Sequence, residues 1–300
     1  MFALLLPDFT LILLGWLVCR YTALNRPLWD GVERLVYYLL FPALLFAAIV
    51  RQPIEVGSVA RLGAIGLAVS VVGIGLAFSL RGLSRADPLL HASGAQTAYR
   101  FNTYVAFALA ERLAGQDGLA WVALLVALCV PVVNVAAVWP LAAHGGRGVW
   151  RELLRNPLLL STVTGLTANL AGLTLPDFAA TTLQRVGAAA LPLALMAVGA
   201  GLRVGDLRQA PGLAAGLMVI RHALLPALAI ALVLALKLPP AQQLVMVAFA
   251  AVPTASSAYV LAVRMGGHGG FVAGLVTVST LLGLISVPAA LLVLVWLRSA

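Results

Sequence analysis

An all-α integral membrane fold is predicted: ten transmembrane helices in two inverted five-helix repeats, with helices four and nine broken where they cross. Three observations predict it. The 300 residues are 62% hydrophobic and only 10% charged, against about 25% charged in ordinary soluble domains. Apolar runs follow one another with short connections, each near the roughly 20 residues that a helix needs to cross a bilayer. Finally, two of these runs carry polar interruptions at corresponding places in the two halves of the chain.

Cutting at charges and turn residues gives spans at about 3–20, 31–50, 60–80, 89–113, 119–142, 156–173, 180–202, 211–236, 241–264 and 270–297. The connections leave no room for a soluble domain, so residues 1–145 and 146–300 are read as two halves of one compact membrane domain. The opening "MFALLLPDFTLILLGWLVCRY" lacks a basic leader and an A-x-A-like cleavage site, and is read as a retained first span. Cys19 and Cys129 fall inside apolar runs and behave as small hydrophobes, with no disulfide or metal spacing.

The formal charge of +9 does not point to nucleic acid, because the arginines stand singly in the gaps between spans. That is the pattern of loop charges that orient a membrane protein. With the N-terminus outside, eleven Lys and Arg residues, Arg26 and Arg203 among them, fall on the cytoplasmic side and six outside. Both termini are therefore expected outside an inner, plasma-type membrane, with the lipid bilayer as the chain's main partner.

Five spans per half give the halves opposite orientation, the arrangement of an inverted repeat. Gly15 to Pro42 and Gly165 to Pro192 are both 27 residues apart. At an offset of 152, "ALAERLAGQDG" (108–118) overlays "VLAVRMGGHGG" (260–270). The same offset lays Pro253-Thr254-Ala255-Ser256-Ser257 of span 9 on Phe101-Asn102-Thr103-Tyr104-Val105 of span 4.

Pro253 removes a backbone donor and frees carbonyls, which lipid cannot satisfy. Unwound backbone at membrane depth survives only where protein or a wet cavity surrounds it, and paired interruptions mark a midplane binding site. The competing reading is a simple kink with serines bonded back to preceding carbonyls. That reading is preferred for the isolated prolines Pro42, Pro131, Pro192, Pro226 and Pro288.

Arg100, about halfway along span 4, is the strongest single feature. A charge there costs roughly 2.5–3.5 kcal/mol on insertion scales, so it needs a cavity or a partner. Its fork of donors suits a carboxylate; if the span starts later, it snorkels to an interface instead. The substrate-binding candidates are thus Arg100, Asn102, Thr103, Pro253, Thr254, Ser256 and Ser257. Asn134, Asn169 and His222 are candidates for cavity lining or coupling. For the two asparagines, bonding between helices is the alternative. For His222, next to Arg221, an anchor at the helix end is preferred. No carboxylate sits securely at mid-membrane, which leaves proton or sodium coupling without an evident carrier, and no cofactor is expected.

At these residues the chain resembles the auxin efflux carrier family of permeases, in particular its short bacterial members. "NPLLLSTVTGLTANLAGLTLP" (156–176), "GAAALPLALMAVGAGL" (187–202), "AAVPTASSAYVLAVRMGG" (250–267) and "VTVSTLLGLISVP" (276–288) carry the resemblance. It implies two inverted five-helix repeats, with a scaffold part, a transport part and unwound fourth and ninth spans crossing at the substrate site. Carried over, the crossing elements fall on Pro253, Thr254, Ala255 and Ser256, and on Asn102 and Thr103. In span 4 the sequence departs from the family pattern: Tyr104 stands in the glycine position and no proline follows. The resemblance implies organic anions as substrates, with dicarboxylates such as malate or malonate among those of bacterial members.

The function expected is secondary transport of a small organic acid by alternating access at the crossing. A passive channel or membrane-embedded sensor is the first alternative. An integral membrane enzyme is the second, disfavoured by four scattered histidines and the lack of a nucleophile or H-x-x-E string. Small residues in "GAIGLAVSVVGIG" (63–75) could pack helices within one chain or between the copies of a homodimer.

Overall fold

The computed structural model describes residues 2–51, 56–82, 87–142, 157–203, 205 and 207–299. The expected boundary at 145/146, and the loop arginines 85, 147, 151 and 155 used for orientation, lie outside the described residues. Regular structure among the described residues is helical throughout, apart from one isolated β-bridge.

In chain order the helices are α1 (Phe2–Tyr21), α2 (Arg26–Leu35), α3 (Phe41–Arg51), α4 (Val56–Ser79), α5 (Pro88–Tyr99), α6 (Thr103–Ala142) and α7 (Pro157–Leu170). They continue with α8 (Asp177–Ala188), α9 (Ala190–Ala200), α10 (Pro211–Val219), α11 (Leu225–Ala235), α12 (Pro240–Ala251), α13 (Ser257–Arg264) and α14 (Gly269–Ser299). Among the described residues, six helical stretches are long and apolar enough to cross a membrane: 26–50, 60–79, 103–141, 177–200, 211–235 and 269–299. The fourth and ninth expected spans do not qualify as continuous helices, because each is cut in its middle. Span 9 becomes α12 and α13, of 12 and 8 residues, and span 4 becomes the 12-residue α5 and the start of α6.

The long α6 is two helices meeting at a turn. Ala114 (φ −147°) leaves helical geometry and Gly115 (φ 58°) takes the left-handed conformation that glycine adopts at little cost. The predicted boundary between spans 4 and 5, at "RLAGQDG", falls on this turn.

Proline explains three further irregularities. A π-helical turn at Val36–Leu40 precedes Pro42, another at Ile220–Leu224 precedes Pro226, and α8 stops at Ala188 ahead of Pro192. Each proline lacks the N–H that would reach back four residues, and its ring crowds that carbonyl, so the preceding turn widens or breaks.

Packing sorts the helices into two groups. In the first, α1 and α2 lie against α9, and α3 lies against α7 and α8. In the second, α4 packs on α5, α6 and α11, while α12 packs on α6, α11 and α14, and α5 and α13 join α14. Contacts of α3, α7 and α9 with α6 tie the groups together. At one close approach in the first group, Gly15 of α1 meets the backbone of Met196 in α9 and leaves no room for a Cβ.

An ion pair adds a polar tie. Arg112 donates from Nε and Nη2 to the two carboxylate oxygens of Asp8, at 2.7 and 2.9 Å. Asp8 is buried on α1, so this bidentate pair links the first group to the first arm of α6.

Candidate functional site

The two interrupted spans meet at their breaks. After Tyr99 the chain runs extended through Arg100 (φ −77°, ψ 137°) and Phe101 to Asn102 before α6 begins. After Ala251 it runs through Val252 (φ −58°, ψ 152°) to Ser256 before α13 begins. Phe101 and Thr254 form an antiparallel bridge between the two extended pieces. Asn102 N–H donates to Pro253 O at 2.8 Å, and the Thr254 hydroxyl donates to Arg100 O at 3.2 Å. The rings of Phe101 and Phe249 lie 4.4 Å apart beside the bridge.

Different residues make the two breaks. In span 9 it is Pro253, as the sequence suggests. In span 4, which has no proline, it is Asn102: its Oδ1 accepts from the N–H groups of Tyr104 and Val105, at 3.1 and 3.2 Å, and starts a new helix. This is the work of an N-cap asparagine, which supplies an acceptor for the orphan donors of the first turn. Tyr104 then takes a helical place and stacks on Phe41, with ring centroids 4.9 Å apart.

A broken helix also exposes carbonyls at its C-terminus. Arg221, 2% exposed, donates from Nε to Val252 O at 2.7 Å and from Nη2 toward Phe249 O at 3.4 Å. A cation at a helix C-terminus satisfies these acceptors and the negative end of the helix dipole together. The neighbouring His222 is not a helix-end anchor. Its ring nitrogens lie 2.8 Å from Ser286 Oγ and 2.8 Å from Ser279 Oγ, and Ser279 Oγ accepts the Thr254 N–H at 2.9 Å. Arg221 and His222 thus support the crossing from behind.

Before the crossing, between the two helix groups, lies a cavity of about 320 Å3, within the range of small-molecule sites. Asn102, Thr103, Ser256 and Ser257 line it from the crossing. Arg26, Asp30, Glu33 and Tyr37 line it from α2 and the turn after it, and Arg203 and Tyr259 complete its polar wall. The Ser256 hydroxyl is buried and has no hydrogen-bond partner among the described residues.

Four of the seven substrate-binding candidates therefore reach the cavity. Thr254 is fully buried at the bridge, and Pro253 packs against Gly283. Arg100 is absent from the lining; its guanidinium donates to Gln96 Oε1 at 2.8 Å and to Ser257 Oγ at 3.0 Å, one hydrogen bond behind the cavity wall. Asn169 donates to Ile49 O and Val50 O, at 2.9 and 3.2 Å, and joins α7 to the end of α3. Asn134, half-buried on the second arm of α6, is not part of the lining either.

The sequence missed Arg203 and Tyr259, having counted Arg203 as a loop charge. Arg203 Nη1 donates to the Tyr259 hydroxyl at 2.9 Å, and its guanidinium carbon lies 4.9 Å from the centre of that ring. Its backbone is held as well, with N–H donating to Thr277 Oγ1 at 3.1 Å and the Thr277 hydroxyl donating to Arg203 O at 2.7 Å. Arg26, by contrast, is answered by carboxylates, Asp30 at 2.9 Å and Glu33 at 2.8 Å.

A helical membrane chain with two broken helices bridged at the floor of a polar cavity has the architecture of a membrane transport protein. A family model described as "Membrane transport protein" matches residues 144–291. That match, over the second half of the chain, bears out the resemblance to the auxin efflux carriers. It is also similar to a protein of Rhizobium meliloti (strain 1021) named "Putative malonate transporter", with 26% identity over 300 residues, covering 96% of this chain and 94% of the relative.

Proposed function

We propose that this chain is a secondary transporter, and not an enzyme, that moves a small organic acid across the membrane by alternating access at the crossing. One observation carries the reading: two half-broken helices bridge through Phe101 and Thr254 at the floor of a polar cavity between two helix groups. Broken helices at such a place present helix N-termini and unpaired polar groups to a substrate away from lipid. In this reading Asn102, Thr103, Ser256 and Ser257 are the hydrogen-bonding ligands. Arg100 fixes Ser257, and Pro253 and Thr254 hold the bridge. His222 braces the crossing through Ser279. The malonate named for the relative makes a short dicarboxylate the first acid to test.

The ten-span inverted repeat is part of the proposal, and two observations support it. Shifting by 150 positions turns Gly15 into Gly165 and Met196 into Phe46, and Gly165 lies against Phe46 and Ile49 just as Gly15 lies against Met196. The second is the bridge itself, which joins positions that the 152-residue offset superposes to within one residue. The halves 1–145 and 146–300 then pack as one membrane domain with both termini outside a bacterial inner membrane. The cavity mouth at Arg26 and Arg203 then faces the cytoplasm.

The test is thermal stabilisation of the purified protein by a panel of carboxylates, since a ligand of the folded state alone raises the melting temperature whatever its direction of transport. A rise with short carboxylates that is absent for their neutral amides supports the reading. A rise with none of them overturns the anion assignment.

A further inference from the structure

The crossing residues that line the cavity are uncharged, so they supply hydrogen bonds but no counter-charge. Of the cavity's two arginines, Arg26 is held in ion pairs with Asp30 and Glu33. Arg203 pairs with no carboxylate among the described residues. It is exposed on the lining, with one Nη on the Tyr259 hydroxyl and its guanidinium carbon 4.9 Å from the centre of the Tyr259 ring. A guanidinium has five donors, and this contact uses one of them. The two hydrogen bonds with Thr277 hold the backbone, and the contacts with Tyr259 hold the guanidinium.

The location strengthens the case. Tyr259 lies two residues beyond Ser257 on α13, so the residue that orients Arg203 belongs to the element that carries the cavity's serines. A preorganised planar fork facing the cavity suits a carboxylate, which it can grip through two parallel N–H···O bonds.

We propose that Arg203, held by Tyr259, is the residue that recognises the carboxylate of the transported acid and sets the preference for anions. The inference rests on the transporter reading above. It assigns the counter-charge to a residue beyond the end of α9, whereas Arg100 acts on the wall through Ser257. Tyr259 is the positioning residue: its ring and hydroxyl fix the guanidinium without meeting the acid.

The experiment measures binding of malonate, acetate and malonamide, by melting shift and by saturable uptake in reconstituted vesicles, for the wild type, Arg203→Gln, Arg203→Lys and Tyr259→Phe. Hydrogen bonds to charged groups are worth about 1.5–3 kcal/mol, so Arg203→Gln is expected to weaken malonate binding about ten-fold or more. Its preference for malonate over malonamide should largely vanish. Arg203→Lys keeps the charge but not the fork and should fall between, while Tyr259→Phe should raise KM with a smaller change in maximal rate. An Arg203→Gln protein that binds malonate as the wild type does overturns this assignment and leaves the transporter intact. If Arg203→Gln does not fold, unchanged malonate binding by both Arg203→Lys and Tyr259→Phe overturns it equally. A wild type that binds neither carboxylate overturns the anion reading and this assignment together.

Discussion

Arg221 Nε lies 2.7 Å from Val252 O, so a buried guanidinium closes the end of the half-helix α12 where span 9 breaks. Lipid offers no donor to those carbonyls, and a break at this depth needs a donor of the protein's own.

Replacing Arg221 by alanine strands the Val252 and Phe249 carbonyls at a cost of about 1–3 kcal/mol for each buried group left unpaired. The Arg221→Ala protein is expected to melt well below the wild type in detergent, and Arg221→Lys, which keeps a cation there, to lose less. Equal loss in both would mean that packing, and not the capping charge, is what Arg221 supplies.

Asn102 performs the corresponding task on the other strand. Asn102→Ala should cost about 1 kcal/mol, the usual worth of a side-chain N-cap, and Asn102→Asp should keep most of that stability. If the cap defines the site, transport falls in Asn102→Ala beyond what the melting loss explains. The check is uptake normalised to folded protein.

Ser256 allows stability and binding to be separated. Its buried hydroxyl has no partner among the described residues, so Ser256→Ala is expected to melt at or slightly above the wild-type temperature, since an unpaired buried polar group is a cost. Its affinity for a stabilising carboxylate should nevertheless fall several-fold. Titration of the melting shift against the acid reads both quantities in one experiment.

Asp8 and Arg112 join the two helix groups near the N-terminal end of α1. Asp8→Asn should destabilise this junction, and a double-mutant cycle with Arg112→Gln should show a coupling of about 1–2 kcal/mol, typical of residues within one charged network. A coupling near zero would mean that the pair is incidental to holding the groups together.

Much of this was legible in the residues. Apolar run length, the turn at "RLAGQDG" and the "PTASS" interruption each rest on chemistry local to the chain, and the helices and both breaks lie where those features put them. The span 4 break was readable only as a polar match to span 9, because an N-cap asparagine inside an apolar run differs little in sequence from a packing asparagine. The arginines were harder. Arg100 sits at mid-span, so it drew the role of counter-charge, yet Gln96 and Ser257 take up its guanidinium. Arg221 sits as deep and reads as an anchor, because the carbonyls it caps lie 28 and 31 residues away along the chain. Arg203 looked like a loop charge because the Tyr259 ring that orients it is 56 residues distant. Side-chain destinations set by tertiary packing were the part that one-dimensional pattern could not supply.

The most direct measurement of the central claim is counterflow: vesicles containing the purified protein are loaded with unlabelled malonate, and entry of labelled malonate is followed. An alternating-access carrier predicts a transient accumulation of label above equilibrium, absent from protein-free vesicles and reduced in Asn102→Ala. Entry that rises linearly with concentration and is indifferent to internal malonate would contradict the account and mark the crossing as a pore.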